Sequence, residues 1–100
     1  MKITPDLVAA TVASEDYSEV AERQTIVCKL TLHNGTVVVG QAHCLDPAEF
    51  DAERGCLAAR ADAERQIYPL LAFLHREAAY QARQRAQDRA DAPRIFVPGA

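Results

Sequence analysis

A chain of 100 residues with 11 basic and 14 acidic side chains and a net charge of −3 has the composition of one globular domain, not of a disordered or membrane-embedded chain. Folding at this length hides only about two thirds of the surface that the unfolded chain exposes, so the core must be thin. No uncharged run approaches the ~20 apolar residues of a membrane span, and Met1-Lys2-Ile3-Thr4-Pro5-Asp6 has no apolar signal stretch, which points to the cytoplasm. Cys28, Cys44 and Cys56 are odd in number and without a pairing motif, so they read as reduced thiols packed as small apolar groups.

Charge is unevenly placed. Residues 1–53 hold three bases (Lys2, Arg23, Lys29) against nine acids, whereas residues 54–100 hold eight arginines against five acids. The two halves therefore suit partners of opposite sign.

Thr4-Pro5-Asp6 has the order of a helix start: a hydroxyl cap, proline at the first helical position, and an acid at the positive end of the dipole. The apolar side through Leu7, Val8, Ala10, Thr11 and Val12 decays into Ser14-Glu15-Asp16, which predicts a short helix ending near Glu15. Tyr17 to Gln24 reads as a polar connection, with room for a helical turn over Ser18 to Arg23. From Thr25 to Leu32 the residues alternate, with Ile26, Cys28, Leu30 and Leu32 on one face, and this predicts a strand. Asn34-Gly35 then signals a two-residue hairpin turn that sets Leu32 opposite Val37, Leu30 opposite Val39 and Cys28 opposite Gln41. In that register a bulge at Gly40 is needed to turn Ala42 and Cys44 inward. The face carrying Val27, Thr31 and Val38 stays partly apolar, and a hairpin alone cannot cover it.

Asp46-Pro47-Ala48-Glu49 repeats the helix-start pattern, with regular helix expected from Phe50 or Asp51. Leu57, Ala61, Tyr68, Leu71 and His75 follow one face, flanked by Ile67, Leu70, Leu74 and Ala78, and small residues in the first half permit close approach of another element. Pro69 predicts either one bent helix or two consecutive ones. Beyond Tyr80 the helix propensity stays high but the apolar face disappears. Residues 1–92 are expected to form one domain and 93–100 a tail; an apolar triplet such as its Ile95-Phe96-Val97 is ordinarily just disordered, and docking on a neighbour or on an open strand edge is the functional alternative. The expected class is α+β, in the order α-β-β-α-α, completed by oligomerisation through Val27, Thr31, Val38, Leu71, Leu74 and Phe96.

The histidines and cysteines lack metal-ligand spacing, and His43-Cys44 are adjacent on a strand, so no metal site is expected. No base neighbours Cys56, no glycine-rich phosphate loop occurs, and the clustered carboxylates read as helix-end charges, so no catalytic residue and no cofactor is expected. Arg54, Arg65 and Arg76 recur every eleven residues, which returns a helix almost to the same angle, and Arg83 falls close to that stripe. Such a row, with Tyr68 on the same helix, could hold a phosphate-bearing ligand; a solvated face laced with weak ion pairs is the ordinary outcome. Interspersed acids and a negative balance argue against duplex nucleic acid.

Thr31-Leu32, Asn34-Gly35, Val39-Gly40, Asp46-Pro47, Phe50-Asp51, Gly55, Ala58, Ala63 and Ile67-Tyr68, with Leu70 and Leu74, resemble the gp forty-nine/gp sixty-six-like family of small tailed-phage proteins over about Pro5 to Leu74. Val27-Cys28-Lys29-Leu30-Thr31-Leu32 matches that family's strand. The corner Ala42-His43-Cys44-Leu45-Asp46-Pro47 departs from it by the inserted His43, and Tyr68 and Glu49 stand where tryptophan and asparagine are common. The resemblance implies a phage or prophage accessory protein acting in the cytoplasm of a bacterial host, where small proteins of this size commonly counter defence. Together with the arginine row, it gives the expectation of a non-enzymatic homo-oligomer that sequesters an anionic, nucleotide-like defence signal. The alternative is a protein–protein inhibitor of a host enzyme or defence factor, acting through the acidic first half or the tail.

Overall fold

The structure is a computed structural model and describes residues 2–91. Its elements are α1 (Pro5–Thr11), β1 (Val12–Ala21), β2 (Thr25–Leu32), β3 (Val37–His43), a 3-10 turn (Pro47–Glu49) and α2 (Ala52–Asp91). The α+β class follows, with a three-stranded antiparallel sheet in the order β1-β2-β3 where the sequence predicts a hairpin. The Thr4 hydroxyl caps α1 by accepting from the Leu7 amide at 3.2 Å, as its helix-start pattern requires. The helix stops at Thr11, four residues before the predicted end, because Val12 turns into β1.

β1 corrects the reading of residues 12–24 as helix tail and connection. It pairs with β2 from Val12↔Leu32 to Ala21↔Thr25, with register shifts between Val12 and Ser14 and between Glu19 and Ala21. All but its two end residues are exposed. The cause is width: one helix about 10 Å across covers two strands spaced about 4.8 Å apart, and the third lies beyond its reach. Glu15, Tyr17 and Glu19 therefore occupy positions that would otherwise demand apolar side chains. Arg60 of α2 reaches over to pair with Glu15 and lies 3.6 Å from Glu64. Tyr17 sits against the buried Cys28, where burial first, then the thiol, pushes its phenol up to about 12; burial likewise pushes the Cys28 thiol up.

The hairpin register differs from the predicted one by a single residue. The Gly35 amide donates to the Leu32 carbonyl at 2.9 Å and the Leu32 amide to the Thr36 carbonyl at 2.8 Å, which makes a three-residue loop with Gly35 at φ +92°. The extra residue sits in the turn, as a glycine bulge, and not at Gly40. Leu30 consequently faces Val38, Cys28 faces Gly40 and Ile26 faces Ala42. Val38 is buried, while Val37 and Val39 point away from α2. Val38 is thus a core residue, which removes it from the face it was predicted to share with Val27 and Thr31.

α2 runs unbroken through Pro69, so the division into two helices does not occur. Its core contacts are Ala59, Ala63 and Ile67, with Cys56, Tyr68 and Leu71 packed beside them. The predicted stripe is rotated: Leu57 and Ala61 are exposed, and Ala59 and Ala63 face the sheet. A Cβ on Gly40 would strike the Ala59 carbonyl, the Ala63 amide and the Ala63 Cβ, so glycine at this position lets helix and sheet backbones touch. From Phe73 to Ala90 every α2 residue is exposed, about 27 Å of helix beyond the sheet.

The edge of β3 is closed by α2 itself. Asp62 Oδ2 accepts from the Gln41 amide at 2.8 Å, and one turn later Gln66 Nε2 donates to the Val39 carbonyl. These are the peptide groups a further strand would use. The Gln41 amide first, and the Arg65 guanidinium at 3.0 Å second, hold the Asp62 carboxyl below its ordinary value of 3.8. A lowered folded value means that the stabilisation is complete above the ordinary value and disappears as pH falls through the folded one. The Gln41 amide resonance is expected to titrate with a midpoint below 3.8, measurable by NMR. A midpoint at or above that value would show the contact to be absent in solution.

Candidate functional site

Between β3 and α2 the chain turns through residues 44–51. The Cys44 amide donates to the Gln24 carbonyl at 2.6 Å, and Thr25 Oγ1 lies 3.1 Å from His43 Nδ1, closing the end of the β2–β3 pair. Asp46 Oδ1 accepts from the Ala48 amide at 3.0 Å to start the 3-10 turn, and the Cys44 thiol donates to the Asp46 carbonyl. Asp51 then caps α2, accepting from the Arg54 amide at 3.2 Å. Two caps in succession, Asp46 and Asp51, thus form the connection from β3 to α2, and a cleft lies beside it.

The cleft has a volume of about 300 Å³. Its lining combines apolar Ile26, Ala42, Phe50, Gly55 and Ala58 with polar Gln24, His43, Cys44, Glu49, Asp51 and Arg54. At Gly55 the helix backbone packs directly on Ile26, since a Cβ there would come within 2.7 Å of Ile26 Cδ1. Arg23, with φ 54°, lays its guanidinium 5.8 Å from the Phe50 ring centroid and donates from Nε to the Pro47 carbonyl at 3.1 Å, which fixes the back of the cleft wall. Among the described residues the Arg54 guanidinium has no ion-pair partner. Around the apolar part of the lining stand one guanidinium, Arg54, and two carboxylates, Glu49 and Asp51.

The predicted ligand-binding residues fall in three places. Arg54 lines the cleft. Arg65 and Tyr68 meet Pro5, Val8 and Glu64 in a hollow of about 230 Å³ between α1 and α2, where Arg65 pairs with Asp62. Arg76 and Arg83 flank Phe73 and Tyr80 on the bare part of α2. They share a helix stripe, yet steps of eleven residues set Arg54, Arg65 and Arg76 about 16 Å apart in turn, too far for one phosphate, and only Arg76 and Arg83, seven residues or about 10 Å apart, line one hollow. Of the predicted interface residues, Val27 and Thr31 lie half-buried on the open sheet face, Leu71 packs on the core, Leu74 is exposed, and Phe96 lies outside the described residues. Sequence reasoning missed Gln24, His43, Phe50 and Gly55 as lining; the two closely spaced aspartate caps were the signal of a corner there. Among the described residues no three His, Cys, Asp or Glu side chains gather as metal ligands, and no helix is long and apolar enough to cross a membrane.

Fold and cleft together define a small two-layer α+β protein, one helix on a three-stranded sheet, with a long projecting helix end and a cleft at the β3–α2 corner. The chain belongs to the Phage protein (N4 Gp49/phage Sf6 gene 66) family, whose profile matches residues 3–79. No curated protein matches the chain, and no solved structure does.

Proposed function

We propose that this phage protein is a non-enzymatic, oligomeric binding module that sequesters an anionic, nucleotide-like signal of host defence in the bacterial cytoplasm. The carrying observation is the cleft lined by Phe50 and Arg54, whose guanidinium has no ion-pair partner among the described residues and can meet phosphate. Its volume is at the low end for ligand sites, and the open sheet face and bare helix supply surfaces through which a second copy could enlarge it. Calorimetric titration of the full chain with cyclic nucleotides and ADP-ribose derivatives tests the reading. A ligand is expected to bind in the micromolar range or tighter, with Arg54→Glu weakening it by about tenfold or more and Arg83→Glu by less than about twofold. Absence of binding tighter than about 1 mM across the panel removes the proposal.

The acids of β1, all exposed, favour a second reading as an inhibitor that presents this strand to a basic surface of a host protein. Affinity capture from host lysate that is unchanged by Glu15→Lys with Glu19→Lys would eliminate it.

A further inference from the structure

A three-stranded sheet has two edges, and here they are treated differently. Asp62 and Gln66 occupy the outward Gln41 amide and Val39 carbonyl on β3. That assignment fixes the alternation of the ladder: Val27, Lys29 and Thr31 bond toward β1, so their partners Ser18, Asp16 and Ser14 bond toward β2. Glu15, Tyr17 and Glu19 are left with amide and carbonyl groups directed outward. Among the described residues nothing meets them. β1 carries Glu15, Asp16 and Glu19 and no base, so pairing with the same strand of a second copy would set acid against acid. An added strand must therefore bring positive charge.

We propose that the free edge of β1 takes up residues 94–97 of a second copy as an added strand. Arg94-Ile95-Phe96-Val97 joins one cation to three strand-forming side chains, and Pro93 and Pro98, which cannot donate, bound it at four residues. The same copy cannot supply this segment. Glu15 is tied to Arg60, and from Arg60 to Asp91 the helix runs about 46 Å away from that point. Val97, six residues past Asp91, reaches back at most about 21 Å even when fully extended. The long projecting helix thus carries its basic, strand-forming end out to other molecules. This deepens the assembly part of the functional reading and does not depend on the ligand.

The test uses the full chain carrying Phe96→Asp, which disables its own tail, titrated into a fluorescein-labelled peptide of residues 92–100. Anisotropy is expected to report saturable binding with a Kd below roughly 100 µM, weakened about tenfold or more when Glu19→Pro is added to the protein. Proline at position 19 removes an outward amide and spares the ladder with β2, which circular dichroism checks. Two further peptides leave the protein untouched: one N-methylated at Arg94 and Phe96, the other at Ile95 and Val97. Because only alternate amides face β1, one of the two is expected to lose binding and the other to keep it. Equal binding by both peptides, or no binding by the parent up to about 1 mM, overturns the proposal while leaving the calorimetric result on nucleotides untouched.

Discussion

Gly40→Val is expected to lower the stability of this domain by about 3 kcal/mol or more, the upper end of what overpacked cores show. The added Cβ would meet backbone atoms of both Ala59 and Ala63, and the Ala63 Cβ at 2.8 Å, so no side-chain rotation can relieve it. Instead α2 must lift off the sheet, and Cys28, Leu30 and Ile67, all fully buried, lose packing together. Two terms oppose the loss, the better strand propensity of valine and the smaller entropy of its unfolded chain, and each is worth about 1 kcal/mol at most. The steric term wins. Urea denaturation followed by circular dichroism checks it, and a loss under about 1 kcal/mol would mean that helix and sheet are not in backbone contact at this point.

The second large effect is expected at Leu30. It lies on the central strand, fully buried, and its truncation to alanine removes packing in a core with few other large side chains, at about 3 kcal/mol and within the 2–5 range for such changes. Its strand partner supplies a control for register. Val38 faces Leu30 in the core, so Val38→Ala is expected to cost about 1–2 kcal/mol, whereas Val39→Ala, at a position 42% exposed, is expected to stay within about 0.5. A two-residue turn at Asn34-Gly35 would reverse the order, with Val39 sensitive and Val38 tolerant. The pair of variants therefore reads the hairpin loop length through stability alone.

That loop shows how a strong local signal can mislead by one step. Asn34-Gly35 announces a hairpin, yet the same two residues fit either a two-residue turn or a three-residue loop with glycine at positive φ. The choice falls to whatever register buries more apolar surface, and placing Val38, Gly40 and Ala42 under α2 resolves the apparent conflict at Gln41 and His43 without distorting the strand. β1 was illegible for a related reason. A strand beyond the width of its covering helix has no apolar alternation to display, and β1 is exposed at all but its two end residues. The cleft was legible only in its parts, since Asp46, Asp51 and Arg54 stand out as caps and a cation, but Gln24 and Ile26 join them from a distant strand.

The sequence by itself determined the helix starts at Thr4 and Asp46, the buried face of β2 and the family, because each rests on neighbouring residues whose conformational preferences agree. Only the tertiary structure decided the pairing of β1, the hairpin register, the rotation of α2 that brings alanines and not leucines onto the sheet, and the dispersal of the arginine row into three separate places. These depend on contacts between residues far apart in the chain, where backbone proximity at Gly40 outweighs the preference for burying the larger side chains.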